Sequence, residues 1–141
     1  MDVTATRLMR VDPYLSFNGN CEEAFEHYAQ CLGGRLRPLF RYEGSPMAAE
    51  VPPEWADRIM HGTLELPDRI LMGGDSPPGT YKEPAGFTLS LQMSNADDAE
   101  RVFGQLAEGG KVLMPLEKTF WAERFGMCID RFGIPWQVNC E

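Results

Sequence analysis

No two cysteines of this chain stand in a C-x-x-C pair. Cys21, Cys31, Cys128 and Cys140 are scattered, which excludes zinc-ribbon and dithiol redox readings. Cys21 and Cys31 bracket one expected helix, and ten helical residues span roughly 15 Å, too far for a disulfide. All four are expected as free thiols in a reducing cytoplasm. Cys21, beside a helix N-terminus, is the one whose pKa such a position would lower. Basic residues are outnumbered: 13 Lys and Arg face 21 Asp and Glu, for a net charge of -8. An acidic domain repels phosphate backbones, and no basic cluster overturns this, so nucleic acid is not an expected partner. No apolar run approaches a membrane span. The opening MDVTATRLMRV lacks the apolar core of a secretory leader, and Arg7 and Arg10 are too few for a targeting segment. A glycine-rich strand-to-helix turn of the kind that holds adenosylmethionine in doubly wound sheets is also missing. The expectation is a cytoplasmic protein that binds neither membrane nor nucleic acid.

What is present is a repeat. The 141 residues suit one domain. Two segments within it are alike: LSFNGNCEEAFEHYAQCLGGRL, from Leu15, and LSLQMSNADDAERVFGQLAEGGKV, from Leu89. In each, a short strand runs into an Asn, an acidic turn, an amphipathic helix, Gly-Gly and a new strand. Asn20 and Asn95 are expected N-caps. Glu22, Glu23, Asp97 and Asp98 complement the positive helix ends. Ala24, Phe25, Tyr28 and Leu32 make one apolar stripe, and Ala99, Val102, Phe103 and Leu106 the other. The Gly-Gly pairs are left-handed stops. Three strands follow each helix, near 35–43, 59–67 and 69–75, then near 111–118, 125–131 and 134–140. The 44–58 stretch, with Pro46, Pro52 and Pro53, reads as a loop with one helical turn near Trp55, a candidate lid or dimer contact. The pattern predicts a single α+β domain of two tandem βαβββ modules forming a curved mixed sheet: module 1 at about 11–75, a linker at about 76–85, and module 2 at about 86–140.

Specific stretches narrow this further. PYLSFNGNCEEAFEHYAQCLGG, IMHGTLEL, ILMGGDSPPG, GFTLSLQ and TFWAERFGMCIDRFGIPWQVN resemble the PhnB-like branch of the vicinal oxygen chelate superfamily, which includes glyoxalase I, extradiol dioxygenases and bleomycin-resistance proteins. The resemblance runs from about Pro13 to Asn139. It implies a glyoxalase/bleomycin-resistance-like fold in which each module forms half of a cup, usually within homodimers. It also implies metal ligands on the first and last strand of each module. Aligning the helix starts carries those positions to Pro13, Met72, Thr88 and Gln137. Pro has no ligand atom, Met is poor for hard divalent ions, and Thr is weak. The expectation is therefore no cofactor, with a divalent metal disfavoured, and Gln137 hydrogen-bonding an organic ligand or a neighbour.

If Thr88 and Gln137 face the cup, alternation adds Ser90, Gln92 and Asn139 to a neutral polar wall. Phe87, Leu89, Leu91, Met93, Trp136 and Val138 then pack on the second helix. In module 1 the same alignment puts Leu15, Phe17, Ile70 and Met72 on the cup side. Trp121 and Arg124 form a candidate rim, one stacking and the other pairing with an anion; a dimer contact is the competing reading. His61 is a candidate general base oriented by Glu65, with a rearranged metal set of His61, Glu65 and Gln137, and a plain structural histidine, as the other readings. The spread methionines read as adaptable core filler. The function expected first is a small-molecule binder similar to the bleomycin-resistance branch. A metal-dependent lyase, isomerase or dioxygenase, and a dimeric non-catalytic module, are the alternatives.

Overall fold

The computed structural model describes residues 9–141; the N-terminal stretch weighed above as a leader lies, through residue 8, outside the described residues. β1 (Tyr14–Phe17) leads into α1 (Cys21–Leu32), the short strands β2 (Arg35–Leu36) and β3 (Phe40–Arg41), then β4 (Ile59–Glu65) and β5 (Ile70–Asp75). The order repeats as β6 (Leu89–Met93), α2 (Ala96–Ala107), β7 (Lys111–Glu117), β8 (Arg124–Ile129) and β9 (Pro135–Cys140). In the first sheet β1 runs parallel to β5, β5 is antiparallel to β4, and β2 and β3 both pair with β4. The second sheet has the same connectivity, in the order β6-β9-β8-β7. The strand expected over 35–43 is broken because Pro38 has no N–H to continue the ladder. The two sheets are separate rather than one continuous surface. The loop after β3 holds two 3-10 turns, Ala48–Glu50 and Pro53–Trp55, and no helix among the described residues is long and apolar enough to cross a membrane.

Each helix lays its apolar stripe on its own sheet. Cys21, Ala24, Phe25, Tyr28 and Cys31 are buried on α1, and Ala99, Val102, Phe103 and Leu106 on α2. All belong to one core that spans both modules. The joint is specific. Tyr28 of α1 packs edge-on against Trp136 of β9, ring centroids 5.3 Å apart, and its hydroxyl donates to the buried carboxylate of Asp130. That carboxylate also accepts from Trp136 Nε1 and from the backbone N–H groups of Phe132 and Ile134. Burying a carboxylate is costly unless it is fully hydrogen-bonded, and here it is.

The two helix starts differ. Asn95 Oδ1 accepts from Asp98 N at 3.0 Å, as an N-cap should. Asn20 does not cap: its Oδ1 is buried without a partner. Asp75, at the end of β5, does the work instead. Its Oδ1 accepts from Gly19 N and Cys21 N, and its Oδ2 from Ile59 N. Cys21 therefore sits against a carboxylate. Burial first, and Asp75 second, push its thiol pKa up rather than down. All four cysteines are free and buried.

Candidate functional site

Each sheet buries one face on the common core and leaves the other open. On the second sheet the open face carries the polar wall expected from alternation. Ser90 stands opposite Gln137 and Gln92 opposite Asn139 across the parallel β6–β9 pair. The four form a hydrogen-bonded ladder. Gln137 Nε2 donates to Ser90 Oγ at 2.9 Å, Gln92 Nε2 to the same oxygen at 2.7 Å, and Asn139 Nδ2 to Gln92 Oε1 at 3.0 Å. Thr88 lies half-buried just before β6. Met127 pairs with Gln137 and Phe125 with Asn139 across β8–β9, adding an apolar strip to the wall. Leu89, Leu91, Met93, Trp136 and Val138 take the core side. Phe87 does not: β6 begins two residues later, and its ring is exposed.

On the first sheet the expected face was wrong by one residue. Leu15 and Phe17 are core residues; Phe17 is 0% exposed and meets Phe25 edge-on. The open face of β1 carries Tyr14 and Ser16, which pair with Met72 and Gly74 of β5. The cause is local. Three residues (18–20) separate β1 from α1, whereas two (94–95) separate β6 from α2. The extra residue, Gly19, has φ +99, and a Cβ there would lie 3.2 Å from the Trp55 ring. One inserted residue flips every side chain of a period-two strand. Ile70 and Met72 do stand on the open side, with His61 and Thr63 of β4 beside them. Phe40, 61% exposed, pairs across β3–β4 with His61. A cavity of about 460 Å³ opens next to it, lined by Leu39, Phe40, Pro46 and Met60 and by the charged Arg41 and Glu43.

The catalytic candidates are placed apart. His61 Nε2 lies 3.3 Å from Thr63 Oγ1, and its ring is tilted on Tyr14 at 5.9 Å. Glu65 does not reach His61. It is bound by Arg37 at 2.6 Å and Arg35 at 3.3 Å, and the Arg37 hydrogen bond holds its pKa below the usual carboxylate range. Gln137, on the other sheet, is committed to Ser90. Among the described residues, no three His, Cys, Asp or Glu side chains converge as a metal site. Allowing for Gly19 moves the first-strand ligand position from Pro13 to Asp12, whose carboxylate is taken by Arg10 at 2.8 Å. The four strand positions thus carry one carboxylate already in an ion pair, one soft thioether, one hydroxyl and one amide: Asp12, Met72, Thr88 and Gln137.

At the rim, Trp121 is half exposed and packs edge-on against Phe125 at 5.3 Å, with Phe120 beside it. Arg124 turns away from the open face and pairs with Glu100 of α2 at 3.1 Å. It stands on the helix side of β8, in phase with the core residues Gly126 and Cys128. Apart from Met93, which packs partly buried against the core, the methionines described are not core filler either. None of those described is buried; Met72, Met114 and Met127 lie on the open faces. Tyr14 and Phe40 escaped the sequence reading. The one signal for Tyr14 was the longer FNGN link compared with MSN.

These faces sit in a fold with known relatives. The model of the Glyoxalase/Bleomycin resistance protein/Dioxygenase superfamily matches residues 10–138. Protein YjdN of Escherichia coli (strain K12) is 34% identical over 139 residues, covering 93% of this chain and 95% of that protein. The crystal structure of protein PA1353 from Pseudomonas aeruginosa superposes with a TM-score of 0.86 at 47% identity, over 95% of this chain and 98% of that one. A PhnB protein from Bacillus cereus shares the fold, with a TM-score of 0.81 at 23% identity over 94% and 100% of the two chains. The chain belongs to the glyoxalase/bleomycin resistance protein/dioxygenase superfamily.

Proposed function

We propose that the protein binds a small organic molecule in a cup closed between two copies of the chain, without a divalent metal. The observation that carries this is the ladder of Ser90, Gln92, Gln137 and Asn139. An exposed sheet face normally carries charged residues; four interlocked neutral polar side chains beside Phe125 and Met127 suit a site that is wet when empty and desolvated when filled. Within one chain each sheet turns one face to a core shared by both modules, which supports closing the cup with a second copy rather than within the chain. A two-fold dimer that sets the first sheet of one protomer against the second sheet of its partner completes two cups at once. The exposed Tyr14, Phe40, Met114 and Trp121 support burial of this surface against a partner. The donor set at the strand positions gives the metal-dependent reading no support of its own.

The test is a thermal-shift screen of small metabolites in the presence of chelator, run on the wild type and on Gln137→Ala. Ligand binding to the folded state raises the melting temperature by mass action. Hits that stabilise the wild type and not the variant support the cup. A Gln137→Ala chain that fails to fold would make this face structural and end the proposal.

A further inference from the structure

Resting on the cup reading above, we infer that the site selects uncharged, flat aromatic molecules carrying an amide-like hydrogen-bonding edge, and rejects carboxylates, phosphonates and organic cations. The charged groups of the two faces lie in ion pairs or at the margins. Glu65, which ends β4, is paired with Arg37 and Arg35, and Asp12, before β1, with Arg10, so these groups lie at one end of the sheet with one guanidinium in excess. Lys111 and Glu117 sit on β7, the outer strand of its sheet. A charged ligand entering between the middles of the faces loses water and meets no carboxylate, ammonium or guanidinium there, which is the costly case. A neutral ligand meets matched partners. Ser90 Oγ accepts two hydrogen bonds, so its own hydrogen is left to donate. Gln137 Oε1 and Asn139 Oδ1 accept nothing from the described residues, and so are free acceptors aligned along one edge. Opposite them the first sheet contributes aromatic and thioether surface from Tyr14, Phe40 and Met72, which favours a planar ring.

The experiment uses three probes of one shape and different charge: naphthalene-2-carboxamide, naphthalene-2-carboxylate and naphthalene-2-carboxamidine. They are titrated at pH 8 into the full-length protein and into its Gln137→Ala variant. Binding is followed through the side-chain amide NMR signals of Asn and Gln and through Trp fluorescence. The expected result is that the carboxamide binds tighter than either ion by about tenfold or more, shifts the Gln137 side-chain signal, and weakens in Gln137→Ala. Binding that depends on Gln137 but is led by the carboxylate or the amidine overturns the uncharged class and leaves the cup standing. No binding by any probe, or binding indifferent to Gln137→Ala, overturns the cup reading and this inference with it.

Discussion

Asp130 accepts from four donors drawn from both halves of the chain. Asp130→Ala would strand the indole, the phenol and two backbone N–H groups in the core, so we expect a loss of about 3–5 kcal/mol in urea unfolding. Tyr28→Phe removes one of those bonds, a bond to a charged acceptor, and keeps the ring, for about 1.5–3 kcal/mol. Buried thiols, together with the buried phenol of Tyr28, weaken the fold at alkaline pH. Burial pushes Cys128 from 9.0 to about 11 and raises Cys21 further. Both stay protonated in the folded chain while the unfolded chain ionises, so the unfolded state binds fewer protons and stability falls as pH rises above about 9. The melting temperature should decline from there towards pH 11, and the decline should be shallower in the Cys21→Ala/Cys128→Ala double variant, whatever its starting value. An equal slope in both proteins would show that these thiols are not the titrating groups. The acid side runs the other way. Arg41 holds Glu22 below 4.5, so the small stability it contributes is present above that pH and is lost as pH falls through the folded value. Glu22→Gln should remove that part of the acid slope.

At the scale of elements, the two helix starts make opposite forecasts from the same residue type. Asn95→Ala removes a working cap and should cost about 1 kcal/mol. Asn20→Ala removes an oxygen with no partner and should cost nothing or stabilise slightly. Equal losses in urea titrations of the two variants would contradict the Asp75 cap. This pair also marks what the sequence could disclose. Helix periodicity, the Gly-Gly exits and the alternation of β6 and β9 are local signals, and they placed both helices, most strands and the Ser90–Gln137 wall. The cap at α1 comes from Asp75, which lies 54 positions away from Cys21, and no local pattern announces it. The face of β1 was lost for a different reason. YLSF has apolar residues in both phases, so the core could be read on either side until Gly19 fixed the phase. Arg124 looked like a rim cation because nothing in its neighbourhood of sequence names Glu100 as its partner.

For the whole molecule, the arrangement of two open faces behind one shared core predicts association. Light scattering should give twice the chain mass, and Met72→Arg or Met127→Arg, each placing an unpaired charge on an open face, should shift the protein to monomer with its circular dichroism unchanged. A monomeric wild type at micromolar concentration would remove the composite cup. Elemental analysis of untagged protein purified without chelator, then incubated with excess nickel, zinc, manganese and ferrous iron, should find no metal retained after dialysis; stoichiometric retention would restore the metal-dependent alternative. The bridge from Tyr28 to Asp130 and Trp136 has a separate consequence for how such a chain can be divided. The pattern repeats by halves, yet neither half owns a complete interior: the first lends a ring to the second, and the second supplies the carboxylate that ring needs. A cut in the stretch between β5 and β6 should therefore yield two fragments that stay together and melt as one, while either fragment expressed by itself should fail to fold. What was copied in two pieces is now inherited, and lost, as one.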